Sequence, residues 1–301
     1  MSWLDKAVVH TLPLVPKPVV RRVSSRYIAG ERLEDAVACV RDLNAQGFMA
    51  TLDVLGEFVH VEEEARNAAR EYVAALDRIA REKLGSNVSL KLTQMGLKID
   101  RDLCTEITAG VVERARELGS FVRLDMEDSS CTTDTLEVYR RLQARYPDHV
   151  GCVIQAYLKR SAADVKDLVR LGANVRLCKG IYVEPETIAY TEPGAINGSF
   201  ERLLGDLLRG GCYTGIATHD AALVDPAVKL LDELRLDRGR YEFQMLLGVT
   251  EGLRARLQEG GHRLRVYVPF GSHWHAYSLR RLKENPKIAG QILRNIFNGN
   301  S

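Results

Sequence analysis

From residue 48 onward, short apolar runs rich in β-branched residues alternate with longer stretches whose apolar positions recur at helical spacing. The runs are FMATLDV, VSLKLT, FVRLDM, GCVIQAYL, NVRLCKG, YTGIAT, YEFQML and LRVYVP, eight in all, each followed by a helix candidate. No Gly/Ser linker or shift in composition divides them. Eight βα units in one unbroken chain predict an α/β protein of the (β/α)8 TIM-barrel type. An open doubly wound sheet fits less well, because no G-x-G-x-x-G turn follows a first strand. Residues 1–46 are then an N-terminal helical arm and residues 47–301 the barrel domain.

Barrel strands are buried on both faces and usually read as apolar throughout. Here one parity carries polar groups near the C-terminal end of the strand. Leu90 and Leu92 flank Lys91; Val122 and Leu124 alternate with Arg123 and Asp125; Ile154 and Ala156 flank Gln155. Val175 and Leu177 flank Arg176, and Val266 and Val268 flank Tyr267. This polar set should point into the top of the lumen, where βα loops build active sites. Arg123 is expected to serve structure instead, as an ion pair with a neighbouring carboxylate. In RLCKGIYVE, Arg176 and Lys179 place two cations around Gly180, whose missing side chain would let a diphosphate or an electron-rich ring approach the backbone. ATHD adds Thr218 and His219 at the same barrel end.

Composition narrows the partner. The chain has 301 residues, 46% hydrophobic and 27% charged, with a net charge of +2 and acids and bases mixed along it, so it lacks a nucleic-acid footprint. The seven histidines show no H-x-x-x-H spacing, and no metal site is expected. The six cysteines, Cys39, Cys104, Cys131, Cys152, Cys178 and Cys212, form no C-x-x-C pair and read as reduced core residues of a cytosolic-type compartment. Asp5, Lys6, Pro13, Pro16 and Pro18 interrupt the apolar N-terminus, which is expected to be neither a signal peptide nor a membrane helix. Arg21, Arg22 and Arg26 offer either a solvated helix face or peripheral contact with the inner face of an anionic membrane.

In HAYSLRRLKENP, Tyr277, Arg280, Arg281 and Glu284 fall at i, i+3, i+4 and i+7, where a docked helix normally carries its apolar stripe. Adjacent guanidinium groups require something acidic to face them. Taken in order, VSLKLTQMG, VRLDMEDS, VIQAYLKR, VRLCKGIYVE, ATHD, FQMLLG and RVYVPFGSHWHAYSLRRLKEN resemble the proline dehydrogenase family of the monofunctional type, over about residues 45–290. The closing Y-x-x-R-R-x-x-E together with R-L-x-K-G-x-Y is specific.

The resemblance implies FAD held noncovalently in the lumen by Gln155, Arg176, Lys179, Gly180, Thr218, His219 and Glu284. It implies L-proline bound by Lys91, Asp125, Tyr182, Leu246, Tyr267, Tyr277, Arg280 and Arg281, with the two arginines clamping its carboxylate. Glu57 resembles the loop acid that pairs with one of those arginines when a lid closes. The implied reaction moves a hydride from C5 of proline to N5 of FAD, gives Δ1-pyrroline-5-carboxylate and passes electrons to a membrane quinone. No aldehyde dehydrogenase domain follows, so the product should be released. Tyr267 would fill the space a 4-hydroxyl needs, favouring proline over trans-4-hydroxy-L-proline. Ile181 and Val183 depart from the family's frequent KGAYW, which changes the group beside the flavin. Three rivals remain on the residues: a methylenetetrahydrofolate reductase-like flavin barrel, a Schiff-base lyase using Lys91 or Lys179, and a non-catalytic amino-acid-binding barrel.

Overall fold

The computed structural model describes residues 20–21, 26–275 and 277–279. All eight apolar runs form strands: β1 (Met49–Val54), β2 (Ser86–Lys91), β3 (Val122–Asp125), β4 (Val150–Gln155), β5 (Asn174–Cys178), β6 (Tyr213–Ala217), β7 (Tyr241–Leu246) and β8 (Leu264–Phe270). They pair in parallel in chain order, and β8 closes on β1, so the sheet is a complete (β/α)8 barrel without a free edge. The run VSLKLT overshoots its strand, because Met95 and Leu97 send their N–H groups back to the Leu92 carbonyl and turn the chain. GCVIQAYL likewise ends as a strand at Gln155, whose carbonyl accepts the Leu158 N–H.

The helices are α1 (Leu33–Ala45), α2 (Glu62–Arg81), α3 (Arg101–Glu117), α4 (Ser129–Arg145), α5 (Ser161–Arg170), α6 (Pro193–Arg209), α7 (Ala221–Glu233) and α8 (Glu251–Glu259). Asp100, Asp128 and Asp220 cap α3, α4 and α7 through their carboxylates, ending the preceding loop at a defined residue. The outward parity of the strands, including Leu52, Val88, Leu90, Leu124 and Ile154, is buried against this helical ring. Helix α1 joins the same core through Ala36, Val40 and Leu43.

The inward parity carries most of the polar strand residues, and its lower part is a packed plug. Arg265 donates to Glu242 at 2.7 Å and to the Ala50 carbonyl at 2.7 Å. Burial opposes the Glu242 charge, but the Arg265 ion pair and hydrogen bonds from Tyr213 and Gln244 outweigh it and hold the carboxyl down at about 2. Arg123 departs from its expected ion pair. Its guanidinium donates to the carbonyls of Cys152 (3.0 Å) and Asn174 (2.7 Å) and to the Asn174 side chain, and lies over the Phe121 ring. Burial and the nearby Arg176 charge pull its basicity down to about 10, and neutral acceptors satisfy its donors. Gly151 makes room: a β-carbon there would lie 2.3 Å from Arg123 Nη1.

Candidate active site

At the C-terminal mouth of the barrel lies a cavity of about 680 Å³. Its floor is set by strand register, which places Lys91 beside Asp125 on β2 and β3, and Leu246 beside Tyr267 on β7 and β8. Asp125 is the hub. It accepts from Arg176 Nη1 at 2.6 Å, Ser89 Oγ at 2.6 Å and Tyr267 Oη at 2.9 Å. The Arg176 guanidinium also stands 5.4 Å over the Tyr267 ring, so cation, phenol and carboxylate form one closed unit. Burial, then the Asp125 charge, raises the Tyr267 phenol well above its usual range and keeps it protonated.

Lys91 pairs with Asp53, its Nζ lying 3.2 and 3.1 Å from the two carboxylate oxygens. Burial alone would lower the basicity of this ammonium. The charges of Asp53, Asp125 and Glu57 outweigh burial and raise its basicity, so Lys91 remains a cation. That removes it as a Schiff-base nucleophile, which needs a free amine. Lys179 is tied down as well, 2.6 Å from Asp220 Oδ2.

Above the floor, the expected cofactor residues line one flank. Gln155 donates to the Glu127 carbonyl at 2.8 Å. Thr218 Oγ accepts the Asp220 N–H at 3.2 Å, and His219 Nε2 accepts the Leu246 N–H at 2.8 Å, so the neutral ring carries its proton on Nδ1. Gly180 is required for a reason beside the one expected. Its φ is +109°, and a β-carbon there would lie 2.1 Å from the Tyr157 ring, so the missing side chain is occupied by a protein ring. Its backbone nevertheless lines the cavity, as do Tyr182 and Ile181 from the β5–α6 loop. Val183 points fully to solvent.

The twelve expected site residues that fall within the described residues, Lys91, Asp125, Tyr182, Leu246, Tyr267, Tyr277, Gln155, Arg176, Lys179, Gly180, Thr218 and His219, all line this cavity. Tyr277 reaches it from a cluster with Tyr27, Ile28 and Leu55. Arg280, Arg281 and Glu284 lie outside the described residues. Glu57, half-buried on the β1–α2 loop, is close enough for its charge to act on Lys91 and Glu127. Its loop is suspended from Thr93, which takes the Phe58 N–H on Oγ and the Val59 N–H on its carbonyl, and Thr93 in turn donates to Glu127.

Four contributors lie outside the strand-end pattern: Asp53, Ser89, Gln244 and Asp220. Asp53 had a usable signal, since Leu52 and Val54 flank it as Leu90 and Leu92 flank Lys91. Among the described residues no His/Cys/Asp/Glu group could hold a metal, and no helix is long and apolar enough to cross a membrane.

The proline dehydrogenase family model matches residues 36–294. Proline dehydrogenase 1 of Bacillus subtilis subsp. natto is 38% identical over 272 residues, covering 90% of both chains. Proline dehydrogenase of Deinococcus radiodurans is 34% identical over 281 residues, covering 92% of this chain and 91% of its own. Proline utilization A from Bdellovibrio bacteriovorus, solved after inactivation by N-propargylglycine, superposes with a TM-score of 0.83 at 27% identity. The match covers 88% of this chain and spans about a third, 33%, of that longer one. Barrel, lumen floor and relatives agree: the chain belongs to the proline dehydrogenase family.

Proposed function

We propose that this proline dehydrogenase holds FAD noncovalently in the lumen, oxidises L-proline to Δ1-pyrroline-5-carboxylate and passes the electrons to a membrane quinone. The observation that carries this reading is the closed Arg176–Asp125–Tyr267 unit with the Lys91–Asp53 pair beside it, under a cavity walled by apolar groups. The donor set suits FAD. Met126, Val153, Cys178, Ala217 and Met245 offer apolar faces to a flat ring, and Arg176 and Lys179 supply positive charge on one flank. Gln155, Arg176, Lys179, Gly180, Thr218, His219 and Glu284 would hold it. Bound FAD supplies the acceptor for a hydride leaving C5 of proline.

The protein's own groups orient the substrate and fix its charge. Arg280 and Arg281 clamp the proline carboxylate, and Tyr182, Leu246 and Tyr277 pack the pyrrolidine ring. Lys91 is held cationic and Tyr267 is held protonated, so neither takes the amine proton. Asp125 is engaged on the floor by Arg176, Ser89 and Tyr267. Glu57 joins the arginine clamp on closure and excludes water. We place the enzyme in the cytoplasm, in peripheral contact with the membrane where its quinone resides.

The purified protein is expected to be yellow, or to become yellow with FAD, and to bleach anaerobically with L-proline. Colourless protein after FAD incubation sinks the proposal, and bleaching by NADH or a folate in place of proline redirects it to another flavin barrel.

A further inference from the structure

The lumen parity of β7 carries Glu242 and Gln244 in succession, one below the other. Glu242 is 2% exposed and is held by Arg265 at 2.7 Å and by Tyr213 Oη at 2.7 Å. Its Oε1 also accepts Gln244 Nε2 at 2.6 Å, and Gln244 Oε1 accepts Arg176 Nε. The rungs run without a break from the lower plug to the cation on the cavity floor.

A primary amide has one donating and one accepting end, while a carboxylate only accepts and a guanidinium only donates. Gln244 must therefore turn its NH2 group down to Glu242 and its carbonyl up to Arg176. The reverse orientation would set donor against donor above and acceptor against acceptor below, in a buried site where each unmade hydrogen bond is costly. Glu242 below and Arg176 above thus demand the same orientation of the amide, and Glu242 anchors the end that holds it under the guanidinium. β6 leaves space for the amide, since a β-carbon at Gly215 would lie 2.5 Å from Gln244 Nε2.

We propose that Glu242 is a positioning residue for Arg176: acting through the Gln244 amide, a carboxylate below the cavity sets the orientation of the guanidinium on its floor. Glu242 does not line the cavity. The functional half of the proposal rests on the reading that Arg176 faces the flavin, and the two halves separate experimentally.

The test uses full-length protein labelled with 15N-arginine, with and without FAD. The Arg176 Nε–H resonance is assigned by its loss in Arg176→Lys. The deciding variant is Glu242→Gln, which keeps the shape and removes the charge. Solvent exchange of Arg176 Nε–H is expected to accelerate at least tenfold in flavin-free protein. In the reconstituted enzyme the balance between oxidised and reduced flavin should shift tenfold toward oxidised, about 30 mV for a two-electron couple, as the displaced guanidinium stops favouring the reduced ring. Loss of the Glu242 charge alone would shift it the other way. A residue serving stability alone would lower the melting temperature and move neither. If Glu242→Gln does not fold, the double variant Glu242→Gln/Arg265→Gln, which removes the orphaned cation as well, is read in its place. Unchanged Nε–H exchange in a folded variant overturns the proposal. Faster exchange with an unmoved flavin balance supports the positioning and rejects the contact between Arg176 and the flavin.

Discussion

The two ends of the barrel lumen hold buried charge in different ways. In the lower plug Glu242 and Arg265 answer each other, with Tyr213 and Gln244 completing the shell. At the upper end Asp125 gathers Arg176, Ser89 and Tyr267, Lys91 sits on Asp53, and both assemblies border the large cavity. Burial is comparable: the side chains of Arg265 and Glu242 are 12% and 2% exposed, those of Arg176 and Asp125 9% and 12%. Depth therefore does not separate structural from chemical ion pairs. What separates them is the neighbouring space and the loops that close it, which belong to the C-terminal end of the strands.

The contrast is broken or sharpened most strongly at Glu242. Glu242→Ala leaves Arg265 buried without its carboxylate and should cost about 3–5 kcal/mol in denaturant unfolding. The folded state holds this carboxyl at about 2, below its ordinary 4.5, so its contribution is complete above about 4.5 and is lost as pH falls toward about 2. Acid unfolding of the wild type should steepen through that window and flatten in Glu242→Gln. An unchanged acid limb would deny the lower pair its structural role.

Next in size is the proposed clamp. Arg280→Met or Arg281→Met should raise KM for proline by about tenfold or more, since losing a charge-assisted bond costs about 1.5–3 kcal/mol, while unfolding stability changes little. Glu57→Ala should affect KM less, because the role proposed for it is confined to closure. Equal, small effects of all three in steady-state kinetics would mark the cluster as a surface ion network.

The smallest and most specific effect is expected at Tyr267. Tyr267→Ser should narrow the preference for L-proline over trans-4-hydroxy-L-proline by roughly 10- to 200-fold in kcat/KM, the range for opening a pocket. The same change frees one acceptor site on Asp125 and removes the ring under Arg176. If both substrates lose activity alike at an unchanged ratio, Tyr267 serves the floor and not selectivity.

Strand parity made the barrel and its polar top legible, because a period of two reports which side chains share a face. It does not report neighbours. Asp53 and Lys91 meet only once β1 and β2 are in register, 38 residues apart in sequence. Arg123 lies inside as its parity predicts but has neutral partners in place of a carboxylate, since the carbonyls that satisfy it belong to β4 and β5. Asp220 was visible in ATHD, yet its dual part as helix cap and partner of Lys179 depends on where α7 begins. The pattern also recurs at Glu242 and Arg265, so parity alone does not say which end of the lumen carries chemistry.

Gly180 bears on how tolerance to substitution is interpreted in this family. A saturation screen scored on growth or turnover would flag position 180 as intolerant, inviting the inference that a ligand touches it. The obstruction is the Tyr157 ring, 2.1 Å from where a β-carbon would stand, and the Tyr157 N–H is anchored to the Lys179 carbonyl at 2.8 Å. An alanine there would push against that ring and drag Lys179 and Tyr182 with the loop, so inactivity would register as a failure of the protein's own packing. Intolerance at a cavity-lining glycine is thus no measure of ligand proximity until the space behind its backbone has been accounted for.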